Sequence, residues 1–165
     1  MMIKVDSKNN LLYWNNRSYR CAIGKNGATM EKIEGDGKTP LGQFPILEVY
    51  WRKDRADLPK IQLPTRQILK STGWCDDPEH AAYNFPVPLP FSARHEVFWR
   101  EDGCYDIVVV IGYNRNPTIR GRGSAIFLHC AKPDFAGTEG CVAIDKKDLL
   151  SILPEFTPQT TIDIR

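Results

Sequence analysis

The sequence predicts a single, mostly β domain (β-rich α+β) with one or two short helices. Three observations carry this reading: short apolar runs alternate with polar residues between Asn and Gly turns, the middle of the chain is dense in proline, and one helix is well signalled. The length of 165 residues suits one packed core spanning 1–165, and 42% hydrophobic with 25% charged residues is globular rather than disordered composition.

Taken in order, Ile3–Val5, Leu11–Trp14 and Tyr19–Ile23 read as a hairpin meander divided by Asn9-Asn10 and Asn15-Asn16. Most of residues 24–45 reads as a glycine-rich polar loop, and Phe44–Trp51 resumes as strand. Residues 52–94 hold Pro59, Pro64, Pro78, Pro86, Pro88 and Pro90, too many for regular helix or central strand. An extended, packed excursion is expected there, with a helical turn near Pro78 to Tyr83. Strands follow at Glu96–Trp99, Tyr105–Ile111 and Ser124–Leu128, and a last one at Thr160–Ile164. Asp145 is a good N-cap for a helix running from Lys146 to Leu153, which Pro154 ends. No repeat or linker divides the chain.

With 22 Lys and Arg against 20 Asp and Glu, the net charge of +2 gives no strong field toward nucleic acid or anionic membrane, so neither is an expected partner. The densest apolar run, Ile107–Ile111, stops at Gly112, far short of the roughly 20 residues that span a bilayer. The N-terminus lacks the apolar core of roughly 7–15 residues found in secretory signals. A cytoplasmic location is therefore expected, with a periplasmic or wall-associated one if the N-terminus was trimmed. Five cysteines, Cys21, Cys75, Cys104, Cys130 and Cys141, cannot all pair as disulfides and show no Cys-x-x-Cys spacing. Free thiols are the default. A metal site drawn from His95, His129, Cys130 and Cys141 lacks ligand spacing, so no metal or other cofactor is expected.

The chemistry points to Gly123-Ser124-Ala125-Ile126-Phe127-Leu128-His129 and to Thr138-Glu139-Gly140-Cys141-Val142-Ala143. A cysteine directly after glycine at a loop-to-strand junction is placed to act as nucleophile, and the amides of Gly140 and Cys141 can converge on an oxyanion. Lowering a thiol pKa by about two units takes roughly 2.7 kcal/mol of preferential interaction with the anion, and an imidazolium at His129 is the expected source. If the His129 strand continues, Cys130 points to its opposite face. Cys21 and Cys104 read as core filler, and the acids flanking Cys75 raise its pKa. Tyr113 and Asn114 end the most apolar strand, where binding groups commonly emerge. His95 is a candidate for the cleft, and Arg122, with Arg115 and Arg120, for the carboxylates of a ligand. Asp76 and Asp77 read as cap or turn residues, with orienting the amine of a ligand as the alternative.

In order along the chain, Gly24-Lys25, Lys38-Thr39-Pro40-Leu41-Gly42-Gln43-Phe44, the histidine segment and Thr138-Glu139-Gly140-Cys141-Val142 resemble the L,D-transpeptidase catalytic domain, often called YkuD. The resemblance covers nearly the whole chain. It implies a β-sandwich or barrel and a cysteine nucleophile attacking the carbonyl between a diamino acid and D-alanine in a peptidoglycan stem peptide or muropeptide. Carried over by motif, Cys141 is that nucleophile, His129 its base and then acid, Gly140 with Cys141 the oxyanion donors, and the Cys130 carbonyl the group orienting His129. Thr138 and Glu139 fall among the substrate-binding positions. The resemblance also implies acylation by carbapenem-type inhibitors. Glu139 stands where the family commonly has histidine, and Val142-Ala143 lacks the usual arginine or asparagine. Water is the expected acyl acceptor, giving an L,D-carboxypeptidase of muropeptide recycling; cross-linking or D-amino-acid exchange is the alternative, and an inactive peptidoglycan-fragment binder the alternative of another class.

Overall fold

Asparagine turns set the register of the first three strands in the computed structural model, which describes residues 1–165. Strands β1 (Met2–Asp6), β2 (Leu11–Trp14) and β3 (Arg17–Ala22) form the expected antiparallel meander. Asn15 and Asn16 both adopt positive φ, 45° and 63°, a conformation asparagine tolerates better than most residues and one matched to the twist of a tight hairpin. Beyond two short paired strands, β4 (Ala28–Thr29) and β5 (Thr39–Pro40), the long strand β6 (Gly42–Trp51) begins.

The remaining strands are β7 (Thr65–Gln67), β8 (Thr72–Cys75), β9 (Pro86–Pro88), β10 (His95–Val97), β11 (Ile107–Ile111), β12 (Phe127–Cys130), β13 (Val142–Ile144) and β14 (Thr161–Ile164). Hydrogen bonding runs β11-β12-β13-β3-β2-β1-β14-β6, and β6 pairs back onto β11, closing a circuit of eight strands with β7 added beside β6. The closure removes most free edges. The two ends of the chain meet inside it, because β1 pairs in parallel with β14.

Strand β11 is buried on both faces and so serves two cores. Ile107, Val109 and Ile111 join a large cluster with Ile3, Leu12, Leu128, Ile162 and the helix residues Leu149 and Ile152. Val108 and Val110 face a smaller, aromatic cluster with Trp74, Phe98, Tyr105 and Phe127, which also takes in Cys141. The three-stranded sheet β10-β8-β9 supplies Trp74 to that second cluster.

The proline-rich excursion is more ordered than its composition predicts. It contains β7, β8 and β9, the last an edge strand that tolerates Pro86 and Pro88. Pro78 to Tyr83 is not helical: successive turns form instead, with His80 N–H bonded to the Asp77 carbonyl and Tyr83 N–H to that of His80. The strand expected at Ser124–Leu128 is shifted to Phe127–Cys130. Ala125 takes φ 53° while its N–H reaches the Asn84 side chain at 3.0 Å, so residues 124–126 leave the ladder. At the other end, Asp145 caps α1 (Lys146–Ile152) by accepting from Lys147 N–H at 2.8 Å. Pro154 does not end the helical stretch; it sits in the first turn of a 3-10 segment, Leu153–Glu155, where its missing N–H costs nothing.

Candidate active site

Strands β12 and β13 run parallel, with His129 opposite Ala143 and Leu128 opposite Val142. Side chains alternate along a strand, so Phe127 and His129 share one face of this pair with Ala143 and, two residues earlier, Cys141. Leu128, Cys130 and Val142 occupy the other face and join the large core. Cys141 and His129 therefore line one cavity of about 400 Å³.

The loop ahead of Cys141 is held by backbone geometry. Gly140 has φ 136°, and a Cβ there would meet the Lys38 carbonyl oxygen at 2.8 Å. Thr138 Oγ1 donates to the Cys141 carbonyl at 2.6 Å and accepts from Gly140 N–H at 3.1 Å. Thr138 N–H in turn bonds the Ile23 carbonyl, and Lys25 N–H bonds that of Thr138, tying the loop to the chain beyond β3. The Gly140 amide, expected to face an oxyanion, is thus occupied by Thr138. The Cys141 N–H has no acceptor within the chain.

Cys141 is 6% exposed and His129 7%. The thiol donates to the Ala125 carbonyl at 3.2 Å, and Sγ accepts from Phe127 N–H at 3.4 Å. Burial pushes this thiol up to about 12, with the Glu96 carboxylate adding to the rise, while the Phe127 N–H, Lys32 and Arg100 act the other way. Burial takes His129 down to about 4, opposed by its hydrogen bond to the Cys130 carbonyl. Burial therefore holds both toward their neutral forms at pH 7, against the imidazolium expected from the sequence. His129 Nδ1 lies 2.9 Å from the Cys130 carbonyl oxygen, which can only accept; the hydrogen is therefore on Nδ1 and Nε2 carries the free lone pair.

The opposite wall is charged. Glu34 accepts from the Ser124 hydroxyl at 2.7 Å and from Tyr83 OH, with Arg94 3.9 Å away. Arg94 also pairs with Asp76 at 3.1 Å. Lys32, with only 3% of its side chain exposed, is held by Asp36 at 2.5 Å, and its stem passes under Gly123 and Gly140. Glu96 accepts from Tyr105 OH at 2.6 Å, and the Tyr105 ring meets His129 edge-on at 5.3 Å.

The domain model of the L,D-transpeptidase catalytic domain, YkuD, matches residues 1–164. This chain belongs to that family. Among solved structures, the YkuD domain described here is similar to Bd1075 of Bdellovibrio bacteriovorus, with 18% identity and a TM-score of 0.51 over 99% of this chain and 47% of that one. It is also similar to the helical cell shape determining protein Pgp2 of Campylobacter jejuni, with 14% identity and a TM-score of 0.48 over 99% and 46%. A third is L,D-transpeptidase 1 of Mycobacterium tuberculosis, with 10% identity and a TM-score of 0.41 over 99% and 60%. The chain spans about half the length of Pgp2 and Bd1075. No curated protein sequence matches it.

Within this YkuD domain the structure brings together Cys141, His129, Thr138 and Glu139 around the cavity, with Gly140 between them in the chain. Glu139 stands at the rim, paired with Lys25 at 2.6 Å. Four expected binding residues lie elsewhere. Tyr113 OH donates to the Arg122 carbonyl at 2.5 Å, and Asn114 bonds the carbonyls of Ile119 and Gly123 and the N–H of Ile119, so both brace the 115–123 loop. Arg122 is exposed outside the cavity, its carbonyl bonded to Tyr113 OH and its N–H to the Ile119 carbonyl. His95 faces away, with Nδ1 2.7 Å from the Ala93 carbonyl and its ring against Phe91. Alternation along β10 instead sends its neighbour Glu96 into the cavity. Asp76 also lines it, against the reading of a cap or turn residue, whereas Asp77 does bond a turn N–H, that of Glu79. Lys32, Glu34, Arg94, Glu96 and Tyr105 were not expected at the site, and Cys104, expected as core filler, packs in the aromatic cluster but also borders the cavity. No group of three or more His, Cys, Asp or Glu side chains converges as metal ligands.

Proposed function

We propose that this domain is a cysteine acyl transferase acting on peptidoglycan stem peptides, cleaving the bond between a diamino residue and D-alanine through a Cys141 thioester, with water as the main acceptor. The observation that carries the reading is the placement of Cys141 Sγ and the His129 ring on one face of one cavity, with the unpaired Cys141 N–H beside the thiol. Family membership supplies the reaction class.

In this scheme the neutral thiol loses its proton to His129 Nε2 as Sγ bonds the donor carbonyl carbon, and the Cys141 N–H donates to the oxyanion. Collapse breaks the C–N bond, and His129 returns the proton to the departing D-alanine amine. His129 then deprotonates water, whose oxygen attacks the thioester; the C–S bond breaks and the thiol is restored. Because neither group is ionised at rest, proton transfer and attack proceed together. Cys141 and His129 are not hydrogen-bonded to each other, and their approach belongs to the donor-bound state.

A cavity of about 400 Å³ is at the small end of ligand sites and suits one donor end, and water reaches a thioester there without a second peptide site. A soluble muropeptide in the cytoplasm is the corresponding donor. Mass spectrometry of products from a tetrapeptide, with and without an added amine, tests this: tripeptide and D-alanine are expected, with a transient acyl adduct on Cys141. Dominant peptide dimers would make the protein a cross-linking enzyme. Binding of tetrapeptide with neither product nor adduct would make it a binder, and carbapenem labelling of Cys141 separates an enzyme from such a binder.

A further inference from the structure

Most carboxylates on the cavity are already neutralised. Asp76 lies 3.1 Å from Arg94, Glu139 lies 2.6 Å from Lys25, and Glu34 has two hydroxyl donors with Arg94 at 3.9 Å. Glu96 differs. Its polar partner is Tyr105 OH, and no Lys, Arg or His nitrogen falls within 4.0 Å of it; Arg100, the nearby cation, is paired with Asp102. It is also the carboxylate with the strongest influence on Cys141, where it opposes thiolate formation. Partial burial beside Asp76 and Glu34 holds its own carboxyl up at about 7, so near neutral pH it is poised between an acid and an uncompensated anion.

A carboxylate that hinders the nucleophile and has no countercharge is a liability unless the ligand supplies the cation. We propose that Glu96 is a specificity-determining residue that receives a free ammonium on the donor's diamino residue, an inference resting on the peptidase reading above. An arriving ammonium would pair with the carboxylate, favour its ionised form, and cancel the part of the rise in Cys141 that the carboxylate adds to that of burial. Donor recognition and thiol activation are then one event, and a donor without the amine is bound more weakly and attacked more slowly.

The test uses two tetrapeptides identical but for a free or an acetylated side-chain amine, with D-alanine release measured on wild type, Glu96→Gln and Glu96→Asp, and calorimetric binding measured in a Cys141→Ala background. Gln retains an acceptor for Tyr105 OH, so folding is preserved and checked by melting. Wild type is expected to prefer the free amine at least about tenfold in kcat/KM, E96Q to fall within about twofold of no preference, losing rate on the free-amine donor and gaining rate on the acetylated one because the anion that opposes the thiolate is gone, and E96D to recover at least about threefold. Equal use of both donors by wild type overturns the proposal, as does an equal loss on both donors in E96Q and E96D, the signature of a purely structural role. The binding arm needs no chemistry. An amine preference in binding that vanishes with E96Q, in a protein that releases no D-alanine, would sustain the Glu96 assignment while sinking the peptidase reading; turnover without preference would do the reverse.

Discussion

The two walls of the cavity are built on opposite principles. The barrel wall, β12 with the start of β13, carries Cys141 and His129, both buried and both driven to their neutral forms. The facing wall, from the 32–36 loop, Asp76 just past β8, Arg94 just before β10 and Glu96 within it, carries charge, most of it matched in pairs around Arg94 and Lys32. The difference separates two tasks. Reactive groups need a dry, fixed setting, whereas recognition of a charged ligand needs charges held apart from one another until it arrives.

The largest effect expected follows from the barrel wall. Cys141→Ala should lower turnover by roughly a thousandfold or more, because it removes the thiol that carries the acyl group in this scheme. Cys21→Ala and Cys130→Ala, whose thiols lie in the large core, should cost stability rather than rate. Product analysis beside chemical denaturation separates the two. If Cys130→Ala alone abolished turnover in folded protein, the assignment of the walls would be wrong.

Gly140→Ala probes the junction between them. The substitution forces φ 136° on an L residue and drives Cβ against the Lys38 carbonyl, so a loss of about 1–3 kcal/mol is expected together with loss of acylation. Normal stability and turnover in this variant would show that the loop can relax without moving Cys141.

His129 links the wall to pH. Its folded value is about 4 against an ordinary 6.5, so the unfolded state takes up the proton first. Stability is fully present above 6.5 and is lost as pH falls toward 4, by about 3 kcal/mol in all. Glu96 has the opposite sign: raised from 4.5 to about 7, it favours the fold at low pH and that contribution is lost as pH rises through 7. Urea denaturation of His129→Gln at pH 7 and at pH 4.5 should therefore show a flatter acid limb than wild type, and an unchanged limb would show that the imidazole is not excluded from water. The same variant should lose acylation.

A smaller effect sharpens the contrast from the charged side. Glu96→Gln removes an anion that raises Cys141, so alkylation by iodoacetamide, a neutral probe, should quicken by roughly twofold to tenfold at pH 8.5. At pH 5.5, where Glu96 is protonated, the two proteins should converge. Equal rates at both pH values would mean that the walls do not communicate.

The same division explains what the sequence revealed. The barrel wall was legible because its signals are local: the continuous apolar run of β11, Gly140 before Cys141, His129 near a strand end, and the capping acid at Asp145 all act within a few residues. The charged wall was not. Glu34, Asp76 and Arg94 come from a glycine-rich loop and a proline-rich excursion and Glu96 from the strand after it, and they meet only through ladders such as Glu96 opposite Trp74. Period-two alternation around His95 was the one available signal, since it requires His95 and Glu96 to face opposite ways, but nothing local told which of the two faced inward. The resting protonation of Cys141 and His129 was also out of reach, because burial is set by the second, aromatic core, assembled from residues between 50 and 141.

The smallest expected effect concerns a residue that the sequence favoured and the structure moves off both walls. Tyr113 OH donates to the Arg122 carbonyl, and its ring meets Phe44 edge-on at 5.3 Å, so Tyr113→Phe keeps the packing and deletes one hydrogen bond. A loss of about 1 kcal/mol is expected from a bond of this kind, with kcat and KM for the tetrapeptide within about twofold of wild type. A Tyr113 hydroxyl that touched substrate would raise KM or lower kcat without changing stability. Measuring denaturation midpoint and kinetics on the same preparation therefore decides between scaffold and site: a stability loss alone leaves the cavity bounded by its two walls, and a kinetic defect alone would extend it to a third.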